Sequence, residues 1–439
     1  MFRGLLVCGK QILSPMCYAL GWIISGLISA YLVLHLFQLI DRYAVNILWW
    51  DNFTYYFLLA GRGNLWERFD FQLGPHREGL GMLISSAIAP LTCWNMRAEA
   101  FAIGIIVTLA AILCLWLKKR LFGRIEWYDL IVIPGIFLTP RQYEIWSNTI
   151  NSSHGALPLL LVVVWCLCWT IERGKFRDVA VLTTNFFAVF TGFGFFLGLI
   201  TPGIYALQRR KLAVGVCVGT LVLFFFNYKR VVTDSGFRPF DPASLKFPYS
   251  IAVALSNMAN ISAKPWEQIV GALLVIMVIV AFGTQLRGFV AMKPANLIIV
   301  SLISFSSLFA VFAIEGRISS FGLICLTPSR YVPLIIPAFI GAYFAVSKIQ
   351  NKAVKTLFVL VALNVAVNMS LNTNWDDLNM MFQFQADKER WIATYKATGD
   401  LDKADHVGFL PIFPPPRPKD FREKLDYLRY HELNFYARN

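Results

Sequence analysis

Charge is scarce in this chain, and acid is scarcer than base. Asp, Glu, Lys and Arg make up 15% of the 439 residues, where a soluble domain carries about 25%. With 57% hydrophobic residues and a mean hydropathy of +0.58, that shortage excludes an ordinary soluble fold. There are eight cysteines, but no CxxC pair and no zinc-type spacing. Cys17, Cys114, Cys166, Cys168 and Cys217 lie inside apolar runs, so they read as small core residues rather than a disulfide framework. No P-loop and no GxGxxG on a βαβ unit occurs, which argues against cytosolic nucleotide chemistry.

What is present instead is a series of apolar runs long enough to cross about 30 Å of hydrocarbon, roughly 18 residues or more. Met16–Ile40, Ala98–Leu117 and Trp266–Phe282 are examples. The expected class is an all-α polytopic membrane protein. The formal net charge of +14 raises nucleic acid as a partner. However, Lys and Arg gather in short clusters between apolar runs, as the positive-inside rule expects, and no nucleic-acid motif appears. The start, MFRGLLVCGKQILSPMCYALGW, places basic residues before an apolar run that is too long for a signal peptide and has no small-residue cleavage site. It reads as an uncleaved first helix with a cytoplasmic N-terminus.

The basic clusters are Lys118–Arg124, Arg173–Arg177, Arg209–Lys211, Arg287–Lys293 and Lys348–Lys355. Placing all of them on the cytoplasmic side predicts helices near 16–40, 98–117, 127–139, 155–172, 212–226, 266–283, 296–314, 331–347 and 355–371. Between Arg177 and Arg209 lie about 30 residues, ~45 Å as helix. Both ends are basic and Thr191-Gly192-Phe193-Gly194 interrupts the run, so two short passes around a hairpin are expected. The total is about eleven crossings, with the C-terminus outside. Leu80–Trp94 is apolar but too short to cross, and counting it would reverse Lys118–Arg124. It is therefore expected to lie along the outer interface. The chain divides into a membrane domain, 1–371, whose first outer loop is 41–97, and a polar outer tail, 372–439.

Wet and chemically interesting residues concentrate on the outer side. Asp51 follows Trp49-Trp50 and precedes Tyr55-Tyr56, aromatics suited to the interfacial belt. It either caps a helix over 53–60 or serves as a base or metal ligand. His76-Arg77-Glu78 is either a solvated helix start or a set of charges with a task in an otherwise uncharged segment. Glu67 and Asp70 read as a solvated helix face. Arg317 and Arg330 flank the 315–331 loop. A lone Arg at a helix end snorkels, but two on the side that disfavours positive charge suit an anionic ligand, for which the guanidinium fork is shaped. Lys229, Arg230 and Arg238 point the same way more weakly. Glu144 follows Pro140 in a second outer loop. His154, a lone histidine, reads as structural.

These motifs resemble, in order, the multi-pass glycosyltransferases of the GT-C class that use polyprenyl-phosphate-linked sugars. The likeness is to a bacterial group related to protein O-mannosyltransferases and aminoarabinose transferases. It is carried by Trp50-Asp51, Gly63-Asn64-Leu65, His76-Arg77-Glu78, Trp94-Asn95-Met96-Arg97-Ala98-Glu99, Pro140 with Gln142 and Glu144, Gly316-Arg317, Ser329-Arg330-Tyr331, and a tail from Phe413 to Phe435. The His box departs from the group's pattern by contraction. The resemblance implies a GT-C-like fold with juxtamembrane helices in the first periplasmic loop and a short periplasmic tail, sited in a bacterial inner membrane. It implies Asp51 as catalytic base, with Glu78 and Glu144 as further catalytic acids. Arg330, Arg317 and Tyr331 would hold the donor phosphate, and His76, Arg77 and Tyr55 would line the site. The implied partners are a polyprenyl-phosphate-linked sugar donor, a glycan or protein acceptor and membrane lipid. A divalent cation is left open, with Asp51 as its ligand if there is one. The rival readings are a lipid-linked glycan transporter or flippase, which would need midplane charges and repeated halves, and an O-antigen-ligase-like transferase. Neither midplane charge nor repeat is evident in the sequence.

Overall fold

The computed structural model describes the chain apart from residues 1, 56–59, 61–62, 230–245, 260, 262–264, 371–374, 409 and 438–439. Helices dominate, and the only sheet among the described residues is one hairpin of two-residue strands. In chain order the helices begin with α1 (Phe2–Tyr43), α2 (Leu65–Phe69), α3 (Gly79–Leu91), α4 (Met96–Phe122), α5 (Asp129–Phe137) and α6 (Glu144–Ser147). Then come α7 (Leu157–Trp169), α8 (Lys175–Val189), α9 (Phe195–Leu207), α10 (Lys211–Phe225), α11 (Lys246–Met258) and α12 (Trp266–Val290). The last six are α13 (Pro294–Phe321), α14 (Val332–Val346), α15 (Lys352–Ser370), α16 (Trp375–Thr398), α17 (Leu401–His406) and α18 (Phe421–Tyr430). Strands β1 (Gln72–Leu73) and β2 (His76–Arg77) pair antiparallel.

Seven helical stretches among the described residues are long and apolar enough to cross a membrane. They are Tyr18–Tyr43, Met96–Phe122, Ser152–Trp169, Trp266–Val290, Pro294–Ile318, Ser329–Val346 and Lys352–Ser370. The other expected crossings are shorter. Helix α5 has nine residues, about 14 Å of rise, because Pro134 lies inside it and the chain turns away at Pro140. Helices α8, α9 and α10 have 15, 13 and 15 residues. Helices α8 and α9 meet at the glycine-containing segment 190–194, as the basic ends predicted. The short apolar segment 80–94 forms α3, a helix of 13 residues.

Each helix end has a local cause. Asn95 caps α4 by accepting from the Arg97 N–H. Gly123, at φ +78, ends it in a left-handed turn whose N–H bonds the Lys119 carbonyl. Just before that turn, Lys118 departs from the expected solvated basic cluster. It is buried and its Nζ lies 2.8 Å from Asp129 Oδ1, while Tyr343 donates to the same carboxylate. The pair ties α4, α5 and α14 together. The Asp129 carboxylate offsets the cost of burying the Lys118 ammonium in an apolar bundle.

Two hydrophobic cores result. The larger fills the helical bundle. The second joins Ile47–Trp49, Phe53, Trp94 and Met96 of the first loop to Trp391, Tyr395, Phe421, Leu425 and Phe435 of the tail. Asn434 fastens this second core. Its Oδ1 accepts from the Leu48 N–H at 3.0 Å, its Nδ2 donates to the Trp94 carbonyl at 2.7 Å, and its N–H donates to the Cys93 carbonyl at 2.8 Å. All of this happens with no solvent exposure.

Asn434→Ala strips partners from the buried Leu48 N–H and Trp94 carbonyl. The expected cost is about 2–3 kcal/mol, read as a lower melting temperature and faster protease cleavage within 400–439. An unchanged cleavage rate would show that the tail docks without this clamp.

Candidate functional site

The first loop, the second loop, the 315–331 segment and the tail close on one cavity of about 320 Å³, within the ~300–1,000 Å³ range of small-molecule sites. Its walls include Asp51, His76, Glu144, His154, Arg317, Arg330 and Tyr331, together with Trp49, Trp50, Phe384 and Lys388. These residues come from segments more than three hundred positions apart in the chain.

Asp51 sits in a single 3-10 turn, Trp50–Thr54. Trp50 holds φ +50, a left-handed conformation costing roughly 1–2 kcal/mol for a side chain with Cβ. The tail holds it there: the Trp50 N–H donates to the Ile412 carbonyl and the indole Nε1 to the Pro411 carbonyl, each at 2.9 Å. The helix-capping alternative fails, because the capping position belongs to Trp49 and no side-chain cap bond forms. Residues 56–59 of the expected 53–60 helix lie outside the described residues. The Asp51 carboxylate has no hydrogen-bond partner among the described residues. The residue is exposed to solvent on the cavity wall; the partial desolvation it undergoes there raises its pKa, the nearby Glu78 charge adds to this, and His154 and Arg330 oppose it.

Glu78 is not on the cavity wall. It is fully buried behind it, where Oε2 accepts from the Tyr55 hydroxyl at 2.8 Å and Oε1 lies 2.6 Å from His154 Nε2. Tyr55 is likewise interior. Burial first, and Glu78 second, push its phenol well above the ordinary range, so it remains a neutral donor. His154, read from the sequence as structural, is the bridge from Glu78 to the cavity. Its Nδ1 faces Asn151 Oδ1 at 2.9 Å, and Asn151 Nδ2 donates to the Glu144 carbonyl at 3.1 Å. That second bond fixes the Asn151 amide, so Nδ1 must carry the hydrogen. On the other side of the ring, Nε2 faces Glu78 Oε1.

His76 lies on the wall, its ring 5.2 Å from His154 and 4.4 Å from Phe193. Burial lowers its pKa well below the ordinary value, His154 and Arg317 lower it further, and a Gly192 backbone bond opposes them. Gly192 allows this packing, since a Cβ there would come 2.5 Å from His154 Cδ2. Gly79 serves the same end, because a Cβ would fall 1.6 Å from the Phe69 carbonyl oxygen and part α2 from α3.

Arg77 turns away from the cavity and is 2% exposed. It pairs with Asp70 at 3.0 Å and donates through Nε to the Phe224 carbonyl at 3.1 Å. Asp70 is thus a structural partner rather than part of a solvated face, and Arg77 bolts the β1–β2 hairpin to the end of α10. Glu67 does stay local, in a capping box with Asn64.

Arg330 donates through Nη1 and through its backbone N–H to Glu144 Oε2, both at 3.1 Å. Arg317 lies over the Tyr331 ring at 5.4 Å, and Arg330 lies over it at 5.2 Å. Two cations thus share one cavity corner. Lys229 is exposed and off the cavity wall, with its backbone bonded to Gln72; Arg230 and Arg238 lie outside the described residues. Among the described residues no group of three His, Cys, Asp or Glu side chains gathers at metal-binding geometry. Asp51 is the unengaged carboxylate on the wall, since Glu144 is taken by Arg330.

The sequence reading missed His154, Lys388 and Phe384. The last two lie one turn apart on α16, on a face that continues to Trp391. A cation on an aromatic stripe was the available signal.

Because folding depresses the His76 pKa, the unfolded chain takes up that proton first. Stability from this group is therefore complete above the ordinary histidine range near 6.5 and falls as pH drops through it. In protein labelled with 15N-histidine, the His76 ring should remain neutral as pH falls below 6.5. A charged His76 ring at pH 6 would refute this assignment. Searches with protein-family models, against curated proteins and against solved structures found no match to this chain.

Proposed function

We propose that the protein is a polytopic membrane glycosyltransferase. It moves a sugar from a polyprenyl-phosphate donor to a cell-envelope acceptor at the outer face of a bacterial inner membrane. The observation that carries this reading is the cavity itself: an unengaged carboxylate, Asp51, faces a corner where Arg330 and Arg317 share the face of Tyr331.

Glycosyl transfer from a phosphate needs those two features and little else. As the acceptor hydroxyl attacks the anomeric carbon, its proton passes to Asp51. A raised pKa brings a carboxylate closer to working pH and makes it a better base. The bond from the anomeric carbon to the phosphate oxygen breaks, and the departing polyprenyl phosphate gains negative charge. Arg330 keeps free N–H donors after its bonds to Glu144, and with Arg317 it can meet that charge. Glu144 orients Arg330 rather than touching the reacting atoms. The Glu78–His154 pair is not positioned to take the acceptor proton, since both ring nitrogens are already engaged.

A second cavity of about 310 Å³ adjoins Arg330 and shares Glu144 with the first; its wall mixes Ala254, Met258, Ile324, Leu326 and Val332 with the polar Arg141, Asn257, Thr327 and Asp377. The basic clusters between helices support a cytoplasmic N-terminus and an outer-facing cavity.

Asp51→Asn should lower sugar transfer by about 10²–10⁴-fold without changing the melting temperature or the affinity for polyprenyl phosphate. Arg330→Ala should do the reverse, weakening polyprenyl phosphate binding about tenfold or more. The readouts are glycan analysis of the envelope from a complemented deletion strain and direct binding in nanodiscs. Full transfer by Asp51→Asn would remove it from the chemistry.

A further inference from the structure

Lys388 is a charged residue on the cavity wall that the transfer reaction does not use. It is 3% exposed and reaches the wall from α16, where its Nζ donates to the Ser147 carbonyl and lies 5.6 Å from the centre of the Trp49 ring. No carboxylate pairs with it among the described residues. The acids beside it in sequence look elsewhere: Asp387 pairs with Arg390 at 2.7 Å, and Gln385 donates to Glu389 at 3.0 Å. Of the cavity carboxylates, Glu144 is held by Arg330, and Asp51 feels Glu78, His154 and Arg330 rather than Lys388. An ammonium carries three donors, and one backbone carbonyl leaves it under-satisfied. Burial alone brings its pKa down to about 7. A buried, uncompensated cation works against folding, so its presence on a cavity wall calls for a ligand.

Its surroundings differ from the arginine corner. Trp50 and Phe384 are partly exposed aromatic rings on the wall, of the kind against which the C–H face of a sugar ring stacks, while Trp49 is buried behind the Lys388 ammonium. Asn148 adds a side-chain oxygen that is shielded from solvent and has no hydrogen-bond partner among the described residues. Taking the transferase reading as its basis, we propose that Lys388 binds an anionic group, a carboxylate or a phosphate, on the acceptor glycan, and that Trp50 and Phe384 form the platform for the sugar ring bearing it. The tail thus supplies half of the acceptor subsite, while the donor phosphate belongs to Arg330 and Arg317. Binding would restore the full positive charge on Lys388, so proton uptake should accompany it near neutral pH.

The test uses the full chain in nanodiscs with glucuronate, glucose 6-phosphate and glucose as probes, and polyprenyl phosphate as a separate ligand. The wild type should bind at least one of the two anionic sugars about tenfold or more tighter than glucose. Whichever it is identifies the group, and buffer-dependent enthalpies should report proton uptake. Lys388→Met should abolish the preference, keep polyprenyl phosphate binding, and melt no lower than the wild type, because it removes a buried unpaired charge. Equal binding of all three sugars, a preference that survives Lys388→Met, or a lowered melting temperature in that variant would overturn the proposal. Loss of polyprenyl phosphate binding in Lys388→Met would overturn it too, by moving Lys388 to the donor side. The donor reading has its own control: if Arg330→Ala still binds polyprenyl phosphate while the anionic preference persists, the donor assignment fails and the Lys388 subsite stands.

Discussion

Glu78 is a carboxylate with no solvent, and the loops around the cavity are arranged around satisfying it. Tyr55 from the first loop donates to one oxygen, and His154 from the second loop holds the other. His154 is set by Asn151, which bonds the Glu144 backbone. The Glu144 side chain in turn holds Arg330 of the 315–331 segment. One line of hydrogen bonds therefore runs through three chain segments that share no sequence neighbourhood. A buried charge that loses a partner is far more costly than an exposed one, so this line is stiff. It ties the Glu78–His154 pair to the corner that holds Arg330.

The tail adds a second constraint, on conformation rather than charge. Trp50 adopts a left-handed backbone that an isolated chain would avoid. Two bonds from 411–412 and the aromatic core shared with α16 and α18 keep it there. Strain at a functional turn persists only where surrounding structure over-determines it. The price is a tail that cannot be removed without freeing Asp51. The same packing brings Lys388 and Phe384 into the cavity, which a loosely attached appendage could not do.

Some elements were legible because their signals are local. Apolar length and basic clusters marked the long helices, and the basic ends of 177–209 marked a pair of short ones. The motif at 329–331 marked a cationic corner. The triplet at 76–78 shows the limit. Three ionisable residues in a row looked like one functional group, yet the chain sends them three ways. His76 faces the cavity, Arg77 turns to Asp70 and α10, and Glu78 turns to Tyr55 and His154. Alternation along β2 and the turn into α3 decide those directions, and neither can be read from residue type. His154 failed for a related reason. A single histidine has no spacing pattern, so its significance rests on a partner 76 positions away in the sequence.

The sequence by itself determined the class of this protein and its helical make-up, and marked the segments that carry its polar chemistry. Those properties follow from hydrocarbon thickness and charge asymmetry, which act on each segment separately. Only the tertiary structure decided which ionisable residues meet. It buried Glu78 and Lys118, left Asp51 unengaged, and carried Lys388 from the far end of the chain to the cavity wall. Burial and pairing depend on every neighbour at once, and a carboxylate becomes a base, a lock or a surface charge according to which of them it finds.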